Sequence, residues 1–216
     1  MTLNLFESDD LAPWVEHPGD GVVVLRRFAS EPAPELLNSI ADISRQAPFR
    51  RMTTPGGHAM SAAMTCCSEW GWVTDRNGYR YQREDPKTGL SWPAMPEPFL
   101  NLATVAAETA GFPGFQPDAC LINRYQPGTK MGLHQDKDER DFSRPIVSVS
   151  LGLPVVFQMG GAKRSDKPSR ILLEHGDVLV WGGPARLNYH GVLTLKAGNH
   201  PLTGACRYNI TFRKAA

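Results

Sequence analysis

The sequence predicts an α+β protein, mainly β, in which two N-terminal helices pack against a C-terminal jelly-roll-like β core. After residue 115, short runs of branched and aromatic residues follow one another, separated by Gly, Pro and Asp. Regular short strands of this kind are typical of an antiparallel sandwich or barrel. Before residue 115, two segments carry apolar residues at helical spacing. The 216 residues suffice to bury one core without disulfides.

The first predicted helix covers residues 34–46, and the second covers residues 97–110. Pro34 stands near the start of the first helix, where its missing N–H costs nothing. Gly111 and Pro113 end the second. The residues that give the two segments their helical spacing are Leu36, Leu37, Ile40 and Ile43 in the first, and Leu100, Ala103, Ala106, Ala107 and Ala110 in the second.

Between the helices, residues 50–95 are rich in Gly, Pro, Met and Trp and show no clear periodicity. A segment of this length predicts a functional lid or a set of hairpins. The predicted strands are 21–28, 120–125, 146–153, 155–159, 170–174, 177–181, 191–195 and 207–213. We therefore divide the chain into residues 1–115, with the helices and the lid, and residues 116–216, the β core, within one compact unit.

Composition excludes several classes of protein. The net charge of +1 excludes a strongly basic packaging protein, so nucleic acid would have to bind at a local patch. The four cysteines form no Cys-x-x-Cys pair, which fits a reducing compartment. The acidic start MTLNLFESDDLAPW does not look like a signal peptide, and no apolar run reaches 18 residues. We expect a cytoplasmic, monomeric protein.

A candidate metal site begins with His134 and Asp136. If Leu133-His134-Gln135-Asp136 is a strand, these two side chains project from one face. His190, at the edge of a later β run, is the best third ligand. Two imidazoles and one carboxylate leave open positions on Fe(II) for a co-substrate and oxygen.

Other interpretations of these residues remain open. A His-x-Asp tripeptide alone is a weak signal and is also typical of a solvated turn. Zinc could occupy the same three ligands, and a zinc hydrolase would then need a general base, such as Asp138 or Glu139. The other histidines look like loop residues, and His175 is expected to bond locally within its turn.

The last strand carries a second candidate site, for a dicarboxylate co-substrate. By alternation, Arg207, Asn209, Thr211 and Arg213 share one face, and buried arginines need anionic partners. An arginine fork binds a carboxylate with two hydrogen bonds. Asn123 and Tyr125 share a face on another strand and offer further polar groups. The pattern alone would also suit solvent-exposed polar faces.

Together these segments resemble the AlkB family of oxidative alkylation-repair dioxygenases, and its bacterial members in particular. The resemblance covers essentially the whole chain. It rests on PDACLINRYQPG (117–128), LHQDKDE (133–139), IVSVSLGLP (146–154), LLEHGDVLVWGG (172–183), RYNITFR (207–213), and the lid pieces TPGG (54–57) and GYRY (78–81). It implies a double-stranded β-helix with a nucleotide-recognition lid.

By the same resemblance, each site residue receives a role. Fe(II) is expected on His134, Asp136 and His190, which are also the catalytic residues. Arg207 is expected at the far carboxylate of 2-oxoglutarate, and Arg213 near its metal-bound end. Further 2-oxoglutarate contacts are expected from Asn123, Tyr125 and Asn209. Substrate contacts are expected from Trp72, Tyr79, Tyr81, Asp138, Arg164, Thr54 and Met64.

The implied reaction is oxidative demethylation of N1-methyladenine or N3-methylcytosine in single- or double-stranded DNA, or in RNA. It consumes O2 and 2-oxoglutarate and releases succinate, CO2 and formaldehyde. The base would have to leave the stack, and Trp72 and His134 could hold it. Candidate phosphate contacts, several of which could be ordinary surface charges, are Arg50, Arg51, Arg76, Arg80, Lys130 and Arg164.

The sequence departs from the family pattern at three places: Met131-Gly132, Asn188 and His58. The first two are expected to matter little for iron, whereas His58 could change how the lid meets a nucleotide. Two rival functions remain open. One is a 2-oxoglutarate oxygenase acting on a protein or small metabolite, and the other is a non-catalytic metal-binding barrel that reads nucleic acid.

Overall fold

The computed structural model describes residues 12–216, so most of the acidic start of the chain lies outside the described residues. The helices are α1 (Ala33–Gln46) and α2 (Glu97–Thr109), with a short 3-10 helix at Gly183–Ala185. The strands are β1 (Trp14–Gly19), β2 (Val22–Arg26), β3 (Ala63–Cys67), β4 (Gly71–Asp75), β5 (Gly78–Gln82), β6 (Ala119–Tyr125), β7 (Met131–His134), β8 (Ile146–Gly152), β9 (Val155–Met159), β10 (Ser169–Leu173), β11 (Val178–Trp181), β12 (His190–Val192) and β13 (Arg207–Arg213).

Two sheets form the framework. The large sheet has the order β1-β2-β11-β8-β13-β6-β3, and the small sheet has the order β10-β9-β12-β7. β2 and β3 come from the first 115 residues, so both predicted parts of the chain contribute to the large sheet. This mainly β architecture with two helices confirms the predicted jelly-roll class.

Both helices pack against the outer face of the large sheet. Leu36 and Ile40 of α1 and Phe99 of α2 share one buried cluster with sheet residues such as Val149 and Phe212. The inner face packs on the small sheet, where Phe157 and Trp181 meet. β8 is covered on both faces, which explains why its side chains are buried without alternation.

The strand predictions failed in segments that contain few residues of high β propensity. β1, which contains Pro18, and β3, with the run AMTCC, were not predicted. The run 191–195 forms only the short strand β12. Within 50–95, β4 and β5 pair as the predicted kind of hairpin, which we call the lid hairpin (Gly71–Gln82).

All four cysteines are free thiols, and Cys66, Cys67 and Cys120 are buried on β3 and β6. Burial raises the pKa of Cys66 to about 12 and raises the pKa of Cys120 well above its ordinary value. None of the described helices is long and apolar enough to cross a membrane.

Candidate metal and co-substrate site

A cavity of about 550 Å³ opens between the two sheets and the lid hairpin. Its inner wall comes from alternate residues of β6, β8 and β13, because these side chains point away from the helices. β7 and β12 of the small sheet form the opposite wall. The lid hairpin and the loop after β7 form the mouth.

The structure brings His134, Asp136 and His190 together inside this cavity. One ligand atom from each lies within 4.8 Å of the others. His134 and His190 face each other across β7 and β12, where they are register partners. β7 ends at His134, so the prediction that Asp136 shares a strand face with it was wrong: Asp136 reaches the site from the loop that follows.

Hydrogen bonds fix the tautomers of both histidines. Nδ1 of His134 lies 2.9 Å from the carbonyl oxygen of Gly132, and Nδ1 of His190 lies 3.0 Å from that of Asn188. A carbonyl only accepts, so Nδ1 must donate, and each Nε2 keeps a free lone pair for a metal. The departures at positions 132 and 188 are harmless here because only their backbone oxygens are used.

Asp136 is held as an anion. Nε and Nη2 of Arg213 donate to its Oδ2 at 2.8 and 2.6 Å. Burial would raise the pKa of this carboxyl, but Arg213 and the two imidazoles hold it well below its ordinary value. Burial, aided by the nearby His134, lowers the pKa of His190 to about 4. Asp136 and His190 are therefore in their metal-binding protonation states at neutral pH.

This donor set fits a divalent metal held by two His and one Asp, with coordination positions left open. The zinc-hydrolase interpretation loses one candidate base. Glu139 is buried and engaged by Tyr81 and Arg186. Asp138 accepts a hydrogen bond from Nε1 of Trp72 at 2.8 Å.

Arg207 offers an unsatisfied binding group for a carboxylate. It is 1% exposed, and Nη2 donates to Oγ of Ser150 at 2.9 Å. Its Nε and Nη1 are buried without a hydrogen-bond partner among residues 12–216. Burial lowers the pKa of Arg207 to about 10, so the guanidinium is still charged. A buried, charged, half-satisfied guanidinium fits the far carboxylate of 2-oxoglutarate.

The other predicted co-substrate contacts surround the same space. Asn123, Tyr125, Asn209 and Arg213 line the cavity, whereas Arg207 is not in its wall but pairs in register with Tyr125. Asn123 donates to Oδ1 of Asn209 at 3.2 Å, and its own Oδ1 has no partner among the described residues. Along β13, Asn209 lies between Arg207 and Arg213, and it pairs in register with Asn123 of β6.

Six of the seven predicted substrate residues line the cavity. They are Thr54, Met64, Trp72, Tyr79, Asp138 and Arg164. The structure does not place Tyr81 in the wall; its hydroxyl donates to Oε1 of Glu139 at 2.6 Å. His58 is exposed and does not line the cavity. Its backbone oxygen accepts a hydrogen bond from the backbone N–H of Thr54, and its backbone N–H donates to Oγ1 of Thr54.

Aromatic rings stand at the mouth of the cavity. The rings of Trp72 and Tyr79 stack with centroids 5.7 Å apart and an angle of 20°. Trp72 and His134, which are expected to hold a base between them, both line the cavity. The Trp72–Asp138 hydrogen bond joins the lid hairpin to the loop after β7.

The candidate phosphate contacts separate into two groups. Arg50 and Arg80 are ion-paired with Asp85 and Asp75, so they are not free for a ligand. Arg51, Arg76, Lys130 and Arg164 are exposed. Arg164 is the only one of the six that lines the cavity.

Sequence reasoning missed much of the apolar wall. The apolar and aromatic lining residues that it missed include Met60, Leu121, Met131, Phe157, Trp181, Tyr189 and Val192. Alternation along β6 could have found Leu121, which shares a face with Asn123 and Tyr125. The remainder come from loops and short strands, where no periodicity points to the cavity.

Comparison with known proteins gives consistent matches. Residues 21–213 match the model of the 2OG-Fe(II) oxygenase superfamily. The chain is 60% identical to the alpha-ketoglutarate-dependent dioxygenase AlkB of Escherichia coli over 99% of this chain and 98% of that protein. It is 34% identical to the mouse nucleic acid dioxygenase ALKBH1 over 56% of this chain and 31% of that protein. The solved structure of OsALKBH1 superposes with a TM-score of 0.82 at 30% identity, covering 93% of this chain and 100% of that one.

Proposed function

Because the chain belongs to the AlkB family within the 2OG-Fe(II) oxygenase superfamily, we propose that it repairs alkylated DNA by demethylating N1-methyladenine and N3-methylcytosine. The enzyme is an Fe(II)- and 2-oxoglutarate-dependent dioxygenase. Its family acts on nucleic acids. The preference for DNA and for these two cationic lesions is our proposal.

One observation carries the proposal. A single cavity joins an Fe(II)-type ligand set at its base to stacked aromatic rings and a carboxylate at its mouth. A base flipped from the strand can stack on an aromatic ring, and such stacking contributes about 1–3 kcal/mol per base. Asp138 supplies the negative charge that a methylated, cationic adenine or cytosine requires.

The residues that line the site would have separate roles in the reaction. His134, Asp136 and His190 would hold Fe(II), and Arg207 with Asn123 and Asn209 would hold 2-oxoglutarate. Fe(II) bound there would supply the hydroxylation of the N-methyl group, with O2 as the oxidant and 2-oxoglutarate as the co-substrate that becomes succinate and CO2, and formaldehyde would then leave the hydroxymethylated base. Apolar groups such as Leu121 and Met131 exclude bulk water, and Trp72 and Asp138 orient the base.

The direct test uses protein reconstituted anaerobically with Fe(II). On addition of oxygen, 2-oxoglutarate and an oligonucleotide containing N1-methyladenine, we expect formaldehyde and restored adenine in equal amounts by mass spectrometry. Parallel reactions with RNA and with duplex DNA measure the strand preference. Succinate formation that no methylated nucleic acid stimulates would favour the rival function on a protein or small metabolite.

Binding to single-stranded DNA should weaken steeply with salt, because phosphate contacts release counterions. Each phosphate contact contributes about −0.7 to the slope of log K against log salt for single strands. Arg164→Ala should therefore make the slope shallower by about 0.7. Arg45→Ala, on the exposed surface of α1, is the matched control. Identical slopes for the two variants would contradict a phosphate role for Arg164.

Asp138→Asn should lower activity selectively on cationic lesions. The amide oxygen of asparagine can still accept from Trp72, so the lid contact is kept while the charge is lost. Hydrogen bonds to charged groups contribute about 1.5–3 kcal/mol, so kcat/KM for N1-methyladenine should fall at least about tenfold. The check is the ratio of kcat/KM for N1-methyladenine to that for neutral N3-methylthymine. An unchanged ratio would remove Asp138 from lesion recognition.

We also propose a cytoplasmic location and a monomeric state. The support is the set of four free thiols, which suits a reducing compartment. Size-exclusion chromatography with light scattering tests the monomer.

A further inference from the structure

A buried network of charges connects the lid hairpin to the metal centre. Glu139, whose side chain is 2% exposed, accepts the hydroxyl of Tyr81 at 2.6 Å on Oε1. Its Oε2 lies 3.1 Å from Nη2 of Arg186, and its Oε1 lies 3.4 Å from Nε of Arg213. Arg213 holds the carboxylate of Asp136. Three side chains, those of Tyr81, Glu139 and Arg213, thus link β5 of the lid hairpin to the metal ligand Asp136.

The same network joins the two segments that carry metal ligands. Arg186 lies four residues before His190, and its Nη1 donates to the backbone oxygen of Asp136 at 2.8 Å. Beside it, Nε2 of Gln135 donates to the backbone oxygen of Leu187 at 2.6 Å. The spacing between Asp136 and His190 therefore depends on contacts that Arg186 and Glu139 stabilise.

We propose that Glu139, hydrogen-bonded to Tyr81 and ion-paired with Arg186, is a positioning residue that couples the lid hairpin to the carboxylate of the metal centre. Tyr81 then acts through Glu139, since it does not line the cavity as Tyr79 does. The inference deepens the proposed function at the same site. It rests on the metal centre and requires no assumption about which base is repaired.

The charge balance explains how Glu139 would control metal binding. Arg186 and Arg213 are compensated by Asp136 and Glu139, all nearly buried. Without the charge of Glu139, two guanidinium groups share one carboxylate. Arg213 then competes more strongly for Asp136, and the surplus positive charge repels a divalent cation. Losing such an outer-shell partner typically weakens metal affinity by about 10–100-fold.

The test measures Mn(II) as a redox-inactive probe, bound to the full-length protein with saturating 2-oxoglutarate and followed by electron paramagnetic resonance. Glu139→Gln keeps the size of the side chain and should raise the Kd for Mn(II) about 10–100-fold. The matched control is Asp85→Asn, because Asp85 is also buried and ion-paired, with Arg50, and does not line the cavity. Its Kd should stay within about twofold of the unmodified protein, since the network is untouched.

Tyr81→Phe tests the link to the lid hairpin. It also provides an independent test of the proposal if Glu139→Gln folds poorly. It removes only the hydroxyl, and we expect a several-fold rise in the Kd for Mn(II). Mn(II) binding by both variants as tight as in Asp85→Asn would overturn the proposal. A loss of oligonucleotide binding by Tyr81→Phe with unchanged Mn(II) binding would also overturn it, because Tyr81 would then be a direct base contact. Neither measurement uses a methylated base, so the repair proposal stands or fails separately.

Discussion

His134→Ala is expected to abolish formation of succinate from 2-oxoglutarate, because two ligands remain where three converge. The side chain of His134 is 40% exposed, and its hydrogen bond is a local one to Gly132, two residues earlier. The protein should therefore fold normally. Loss of an essential member of a catalytic constellation lowers kcat by roughly 10⁴-fold or more, so turnover should fall below detection. Anaerobic Mn(II) titration should show a parallel loss of metal affinity.

The control for this prediction is His17→Ala. His17 is an exposed histidine on β1 that does not line the cavity. The turnover and Mn(II) affinity of the His17→Ala variant should match those of the unmodified protein. Normal succinate formation by His134→Ala would remove the three-ligand assignment, and with it the oxidation chemistry assigned to this cavity.

Arg207→Met is expected to give two effects of opposite sign. Two nitrogen atoms of the buried guanidinium, Nε and Nη1, have no hydrogen-bond partner within residues 12–216, so an apolar side chain of similar size should raise the free energy of unfolding by about 1–4 kcal/mol. The same change removes the guanidinium that we expect to pair with the far carboxylate of 2-oxoglutarate. Truncating one side of a buried charge pair costs about 2–5 kcal/mol, so the Kd for 2-oxoglutarate should rise roughly 30- to 5000-fold.

Denaturant unfolding without 2-oxoglutarate and calorimetric titration with it measure the two effects. Arg124→Met is the matched control. Arg124 pairs with Tyr208 on the neighbouring register position, so it points to the opposite face, where its guanidinium lies 4.8 Å from the ring of Phe49. This variant should keep 2-oxoglutarate affinity. Unchanged affinity in Arg207→Met would show that another group binds the far carboxylate.

The sequence predicted the helices and the central strands well because their patterns are local. α1 begins one residue before its predicted start, and β9 and β13 match their predicted bounds. β1 and β3 were missed because they become strands by pairing with β2 and β6, at the two edges of the large sheet. Such edge strands carry little propensity of their own, so tertiary pairing decides them.

The candidate site was predictable where chemistry restricts the residue type. It is expensive to bury two imidazoles, a carboxylate and a pair of arginines without a ligand. Such residues within predicted strands therefore indicate a binding site. The route by which Asp136 reaches the metal was predicted wrongly, because a loop held by Arg213 and Arg186 replaces strand alternation. The partners of Glu139 could not be predicted, since Tyr81 and Arg186 meet it only through long-range folding.

The concealed thiols have a consequence for an enzyme exposed to alkylating chemicals. Methylating agents attack thiolates far faster than protonated thiols. Cys66, with a pKa raised to about 12, and Cys120, with a pKa raised well above its ordinary value, stay protonated at neutral pH. Cys67 is also buried, and it lies with Cys120 in the cluster between the large sheet and the helices. Burial therefore shields three of the four thiols from electrophiles of the kind that alkylate nucleic-acid bases.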